Sequence, residues 1–263
     1  GRALQNMINI QKGDKVCAFI HVKNLNDMEY VQNHYLIFAT KDGLMKKTTL
    51  ESYSRPRANG IIALGLREGD RLIRVTLTDG KSQMLVASYN GKVVRFPEDT
   101  VRPMGRTATG VRAIKLDEDG KDCVVGMICV EEGSKDTVLV ISDKGYGKRT
   151  MLDDETGEPI YRITNRGGKG VKTMNITDKT GNLIGMEAVN DEQDLMLITK
   201  SGTAIRMPMT SISILGRATQ GVKLIELQKR NDTLMFGCTV PKEEVEEQTA
   251  EEGTNEVTNN TEE

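Results

Sequence analysis

The chain has 263 residues, 37% of them hydrophobic, with no apolar run near the roughly 20 residues of a membrane-spanning helix and no secretory pattern at its start; this excludes a wholly disordered chain and a helical membrane protein. Four cysteines (Cys17, Cys123, Cys129, Cys238) without a Cys-x-x-Cys pair, and only two histidines, argue against a zinc site or disulfide framework and read as reduced core thiols of a cytoplasmic protein. The net charge of −2 is unevenly divided: residues 242–263 carry nine Glu and one Lys, −8, which leaves +6 on residues 1–241.

The sequence opens at Gly1 rather than Met, as a fragment or processed product would. Its first ten residues, GRALQNMINI, match GRATQGVKLI from Gly216, with Asn6 at a glycine position, so residues 1–34 read as part of a repeat. Four full copies follow, over 35–82, 83–136, 137–193 and 194–241. Each runs as an apolar stretch, a tight turn ending in Gly, a strand with basic residues, an Arg-bearing loop, a second Gly and two more apolar stretches. In the first copy the strand-like runs fall at about 35–40, 44–50, 61–66 and 71–77. Asn90-Gly91 marks a two-residue hairpin, and Asp42-Gly43, Lys144-Gly145 and Ser201-Gly202 are similar, because Gly tolerates the positive φ such turns need. The second glycine recurs as Gly60, Gly110, Gly170 and Gly221. Repeat spacings run from 48 residues (Gly43 to Gly91) to 60 (Gly110 to Gly170). No segment holds a helical period over three turns. One such unit is too small to bury its own core, whereas neighbours can bury each other's faces. The expectation is an all-β, propeller-like fold of four-stranded blades over 1–241, with a stack of sandwich domains as the alternative. Residues 242–263 have almost no bulky apolar side chain after Val245 and predict a disordered acidic tail.

Catalytic signatures are missing. There is no phosphate-binding loop, histidine is scarce, and Asp and Glu gather in turns such as 68–70 and 117–119. Basic charge recurs instead. The second strand carries Lys46 and Lys47, then Arg95, then Lys148 and Arg149, then Arg206. The next loop carries Arg55 and Arg57, then Arg102 and Arg106, then Arg162 and Arg166, then Arg217. Beyond the second glycine come Arg112, Lys172 and Lys223. A single such cation could merely solvate a strand face, but equivalent positions in a ring of blades share one rim and would form a belt. A positive belt suits the phosphates of a wrapped duplex, bound through counterion release without base contacts. Aromatic content of 4% with no Trp disfavours stacking on unpaired bases. The loop Asn165, Arg166, Gly167, Gly168, Lys169, Gly170 is the most specific feature: its glycines let backbone approach phosphates and its cations supply charge.

The stretches VRPMGRTATGVRAIKL, SDKGYGKRT, SISILGRATQGVKLI and KVVRF resemble the C-terminal domain family of DNA gyrase A over nearly all of 1–241. The related domain of topoisomerase IV has more degenerate repeats and fits less well. The resemblance implies a β-pinwheel whose basic rim wraps double-stranded DNA, so that the holoenzyme can introduce negative supercoils. It also implies gyrase B and a second gyrase A polypeptide as partners in an A2B2 assembly. ATP and magnesium would be used elsewhere in that assembly, with no cofactor on this chain. The family's signature heptapeptide, Gln-Arg-Arg-Gly-Gly-Lys-Gly, usually lies in the first blade; its nearest match is 164–170 (TNRGGKG) in the third full repeat. The family's catalytic tyrosine belongs to another domain, and none of the six Tyr lies in its motif. The competing readings are a protein-interaction propeller and, further off, a propeller enzyme. The acidic tail would either compete with DNA for the rim or act as a solubilising segment.

Overall fold

The computed structural model describes residues 13–57, 59–118, 120–227 and 232–242. The repeat match at residues 1–12 and the acidic tail from residue 243 lie outside the described residues. Each repeat forms a hairpin across its expected turn. β1 (Tyr35–Thr40) pairs with β2 (Leu44–Thr49), and β4 (Gln83–Ser88) with β5 (Lys92–Pro97). β8 (Thr137–Ser142) pairs with β9 (Tyr146–Met151), and β12 (Gln193–Thr199) with β13 (Ala204–Pro208). Gly43, Gly91 and Gly145 turn at φ of 85°, 79° and 79°. A Cβ there would lie within 3.0, 3.0 and 2.7 Å of the carbonyl oxygens of Ile114, Met174 and Ile225, so both the dihedral and the space require glycine.

A third strand, from later in the same repeat, lies on the other side of the first: β3 (Leu72–Thr78), β7 (Val124–Val130), β11 (Leu183–Val189) and β15 (Leu234–Pro241). The fourth strand comes from the next repeat. β6 (Val111–Arg112) pairs with β2, β10 (Val171–Lys172) with β5, and β14 (Val222–Lys223) with β9. The sheets therefore run β3-β1-β2-β6, β7-β4-β5-β10, β11-β8-β9-β14 and β15-β12-β13. The architecture is all-β and propeller-like, as expected, but four strands from one repeat is corrected. The run after the second glycine crosses to the preceding blade and pairs over only two residues. In the first repeat, where no preceding blade is described, 61–66 forms no strand.

The cores lie between blades. Ile37 and Met45 of the first blade meet Met84, Val94 and Met127 of the second. Leu85 and Val93 meet Val138, Tyr146 and Leu183 of the third, and Leu139 and Ile141 meet Leu195, Leu197 and Leu234 of the fourth. The opposite face of β1, Leu36 and Phe38, is covered by Ile20, Val22, Leu25 and Val31. Val31 lies on α1 (Met28–Asn33), whose start is capped by Asp27, which accepts from the Tyr30 N–H at 3.1 Å. Six residues are too few for a helical period to register in the sequence.

The strands β3, β7, β11 and β15 pack on one another in succession and line the inner side. There Arg74 of β3 joins Glu187 of β11 through two hydrogen bonds of 2.9 and 2.8 Å, linking the first and third blades. The exchanged strands sit at the outer edges. Burial pushes the Cys129 thiol up to about 11, whereas Cys17 is exposed and does not belong to a core.

Candidate nucleic-acid interface

The cations of the second strand are the first to be placed. Lys47, Arg95, Arg149 and Arg206 occupy one register position, opposite Ile37, Leu85, Leu139 and Met196. Each is engaged by a carboxylate: Glu98 at 2.8 Å, Asp153 at 2.7 Å, Asp191 at 2.5 Å and Asp194 at 2.8 Å. Arg95 also donates to Gln83 at 2.6 Å and to the carbonyl of Leu152 at 3.1 Å, and Arg149 donates to the carbonyl of Ile212 at 3.0 Å. One residue earlier, Lys46 and Lys148 are fully buried. Lys46 Nζ donates to the carbonyls of Ala63 and Arg106, and Lys148 Nζ to those of Gly216 and Arg217 at 2.5 and 2.6 Å. Burial, with the positive Arg106 and Arg217 nearby, lowers each ammonium from 10.5 to about 8.

This corrects the belt drawn from the sequence. Lys46, Lys47, Arg95, Lys148 and Arg149 are buried beneath the loop of the next repeat rather than exposed on a rim. They hold that loop to its neighbour. Arg206 is more open, because no exchanged strand covers β13 among the described residues.

The loops themselves are more accessible. Arg106, Arg166 and Arg217 are half-buried, and each donates to the equivalent carbonyl of the preceding repeat: Ile62 at 3.1 Å, Arg112 at 3.4 Å and Lys172. Arg55, Arg57, Arg102, Arg112, Arg162, Lys169, Lys172 and Lys223 are exposed. Lys223 pairs with Glu226 at 2.8 Å. Lys115, also exposed, extends the row beyond Arg112. The repeat pattern missed it because Asn175 and Glu226 stand at its equivalent positions.

The 164–170 loop is pinned to the loop of the preceding repeat. The Gly167 N–H donates to Ala113 at 2.6 Å, and the Gly168 carbonyl accepts from the Lys115 N–H at 2.8 Å. Gly170, at φ 71°, passes so close to β5 that a Cβ would lie 2.4 Å from the Val93 carbonyl oxygen. Close packing thus explains Gly170, whereas Gly167, with its nearest neighbour at an ordinary 3.5 Å, is explained by its left-handed φ of 79°. Arg162, Arg166 and Lys169 come together with Asn165, Gly167 and Gly168 around one depression of about 440 Å³. Among the described residues, no three His, Cys, Asp or Glu side chains gather as a metal site.

Comparison with known proteins agrees with this geometry. A family model described as the DNA gyrase C-terminal domain, beta-propeller, matches residues 34–79, 83–131, 136–154, 161–190 and 193–236. The DNA gyrase A proteins of Staphylococcus aureus strains NCTC 8325 / PS 47 and COL are each 41% identical over 252 residues. That alignment covers 96% of this chain and 27% of theirs, so the chain spans about a quarter of those relatives. Among solved structures, the C-terminal domain of DNA topoisomerase IV aligns with a TM-score of 0.80 at 22% identity, covering 92% of this chain and 71% of that one. A DNA gyrase A C-terminal domain aligns with a TM-score of 0.74 at 22% identity, covering 90% and 74%. At such identity these two likenesses speak for the fold alone. With the family model matching more than half of its residues, the chain belongs to the family of DNA gyrase C-terminal, beta-propeller domains.

Proposed function

We propose that the chain binds double-stranded DNA along its outer loops and wraps it, as the C-terminal part of a DNA gyrase A polypeptide. In that assembly gyrase B and a second gyrase A are its partners in an A2B2 holoenzyme of the cytoplasm. ATP and magnesium act elsewhere in it, and wrapping biases strand passage toward negative supercoiling. The observation that carries this reading is the row of exposed cations on successive exchanged loops: Arg102, Arg112 and Lys115, then Arg162, Lys169 and Lys172. Among the described residues, none of the six has a carboxylate closer than the 3.9 Å between Lys115 and the exposed Glu118. Arg102 with Arg162, and Arg112 with Lys172, stand at repeat-equivalent positions on adjacent blades, and charges so placed can follow a bent phosphate backbone without reading bases. The family membership and the relatives named as DNA gyrase support the same reading. The protein-interaction alternative lacks such a recurring cue.

The test is duplex binding across a salt series, on duplexes of about 20 and about 150 base pairs, the longer being near one persistence length. Binding should weaken steeply with salt and favour the longer duplex. Arg162→Ala/Lys169→Ala/Lys172→Ala should flatten the log–log salt slope by about 3, close to one per lost phosphate contact. Salt-insensitive binding, or an unchanged slope in the triple variant, would sink the proposal.

A further inference from the structure

The three exchanged loops are not electrically alike. Segment 101–115 carries Arg102, Arg106, Arg112 and Lys115 and no acid, and 161–175 carries Arg162, Arg166, Lys169 and Lys172 and no acid. The equivalent segment 212–226 carries only Arg217 and Lys223, together with Glu226. Ser213 stands where the other two have Arg102 and Arg162, and Gln220 where the second has Lys169. Beside this weaker loop the third repeat adds an acidic excursion after β9, carrying Asp153, Asp154, Glu155 and Glu158. The family model passes from 154 to 161 and leaves 155–160 unmatched.

The excursion is a built turn. Asp154 accepts from the Thr156 hydroxyl at 2.7 Å and from the N–H groups of Thr156 and Glu158 at 2.9 Å each. These bonds hold its carboxyl below the usual carboxylate range. Asp153 bridges to Pro159 and pairs with Arg95, which ties the turn to the second blade. Glu155 and Glu158 are exposed. Met151, Ile160 and Ile214 join Asp153, Asp154 and Glu155 around a hollow of about 690 Å³. Ile214 is the neighbour of Ser213, and its backbone lies on Arg149 as Ile163 lies on Arg95. The acidic turn therefore borders the third outer loop, next to the position where the first two present arginine.

We infer that the duplex track runs over the outer loops of the first and second blades and is broken at the third, where the acidic turn and Ser213 turn the DNA away. This rests on the proposed DNA reading. Anionic and apolar surface beside a phosphate track repels and offers no counterion release, so it sets where contact ends. The wrapped arc is then shorter than the set of blades.

The test compares the 263-residue chain with Glu155→Lys/Glu158→Lys and with Glu131→Lys/Glu132→Lys, whose acids are exposed in the turn between β7 and β8. Affinity across salt and the length of duplex protected from cleavage are measured. The 155/158 variant should bind about tenfold tighter at low salt, steepen the salt slope by up to about 2 and lengthen the protected stretch. The 131/132 variant should change little. Equal gains in both variants would mean bulk charge rather than a break in the track. Unchanged protection in the 155/158 variant, with parent binding intact, would also overturn the inference. If the parent chain does not bind duplex at all, the DNA reading itself falls.

Discussion

At Lys148 a cation has been turned from a candidate contact into a fastener. Its ammonium is enclosed and holds the carbonyls of Gly216 and Arg217, so the loop of the fourth repeat is tied to the strand of the third. Burial holds its folded-state pKa near 8, below the 10.5 of an unburied lysine. Between those values the unfolded chain binds more protons than the folded one, so stability rises as pH climbs from about 8 toward 10.5. Below 8 both states are protonated and this contribution is flat. Lys148→Met leaves two carbonyls unpaired and should cost about 1–3 kcal/mol at neutral pH. Because the variant loses the titration, the gap between parent and variant should widen at alkaline pH. Urea midpoints at pH 7 and pH 9.5 decide it; a gap of constant size would remove Lys148 from the account. Lys46 occupies the same position in the first blade, shares the geometry and should behave alike.

The exchanged strand depends on a glycine that lets one backbone cross another. At Gly170 a Cβ would meet the Val93 carbonyl oxygen at 2.4 Å, and at Gly110 the Met45 carbonyl oxygen at 2.4 Å, both at positive φ. Gly60 has a similar φ of 75° but nothing within 4 Å, because among the described residues no blade precedes its own. Gly60→Ala should therefore cost only the left-handed dihedral, about 1–2 kcal/mol. Gly170→Ala should cost at least about 2 kcal/mol more, since a backbone atom rather than a side chain must move. Chemical denaturation of the two variants separates these, and equal losses would mean that the crossing tolerates a methyl group. These glycines were legible in the sequence, as were the hairpin turns and the apolar runs, because turn chemistry and period act locally. Which blade the run at 111–112 or 171–172 would join was not legible. A two-residue pairing carries no period, and its partner lies in another repeat. The same limit misplaced Arg95 and Arg149: a basic residue on an outward strand face has one signature whether water or the next repeat covers it. Arg102, Arg162 and Lys172 keep exposed side chains, although the backbone of Lys172 is met by Arg217 of the following repeat. The acids at 153–158 were visible as residues, but their position beside Ser213 came only from the fold.

Across the whole molecule, strand exchange makes each blade incomplete without its successor. The buried clusters straddle blade boundaries, the exchanged strands cross them, and Arg74 to Glu187 spans from the first blade to the third. The ion pair contributes little to this coupling: Arg74 is 47% exposed, and such pairs give at most about 1 kcal/mol. Packing carries the coupling. In a linear repeat array, stability is a sum of unit and interface terms, and weak interfaces allow part of the array to melt alone. Strong interfaces with weak units force the array to unfold together. The clusters that straddle the blade boundaries argue for the second kind, since the second and third blades bury apolar side chains against both neighbours. Leu139 tests it. It is fully buried on β8, between the third and fourth blades, among Leu195, Leu197 and Leu234. Leu139→Ala should cost about 2–5 kcal/mol through the cavity it leaves. If the blades act as one unit, the variant should still melt in a single transition, shifted to lower temperature, with Cys129 of the second blade becoming reactive to thiol reagents in step with loss of strand signal. A melt in two stages, in which the thiol of Cys129 stays protected after the third and fourth blades have opened, would mean that each interface holds on its own and that strand exchange joins the blades without coupling them.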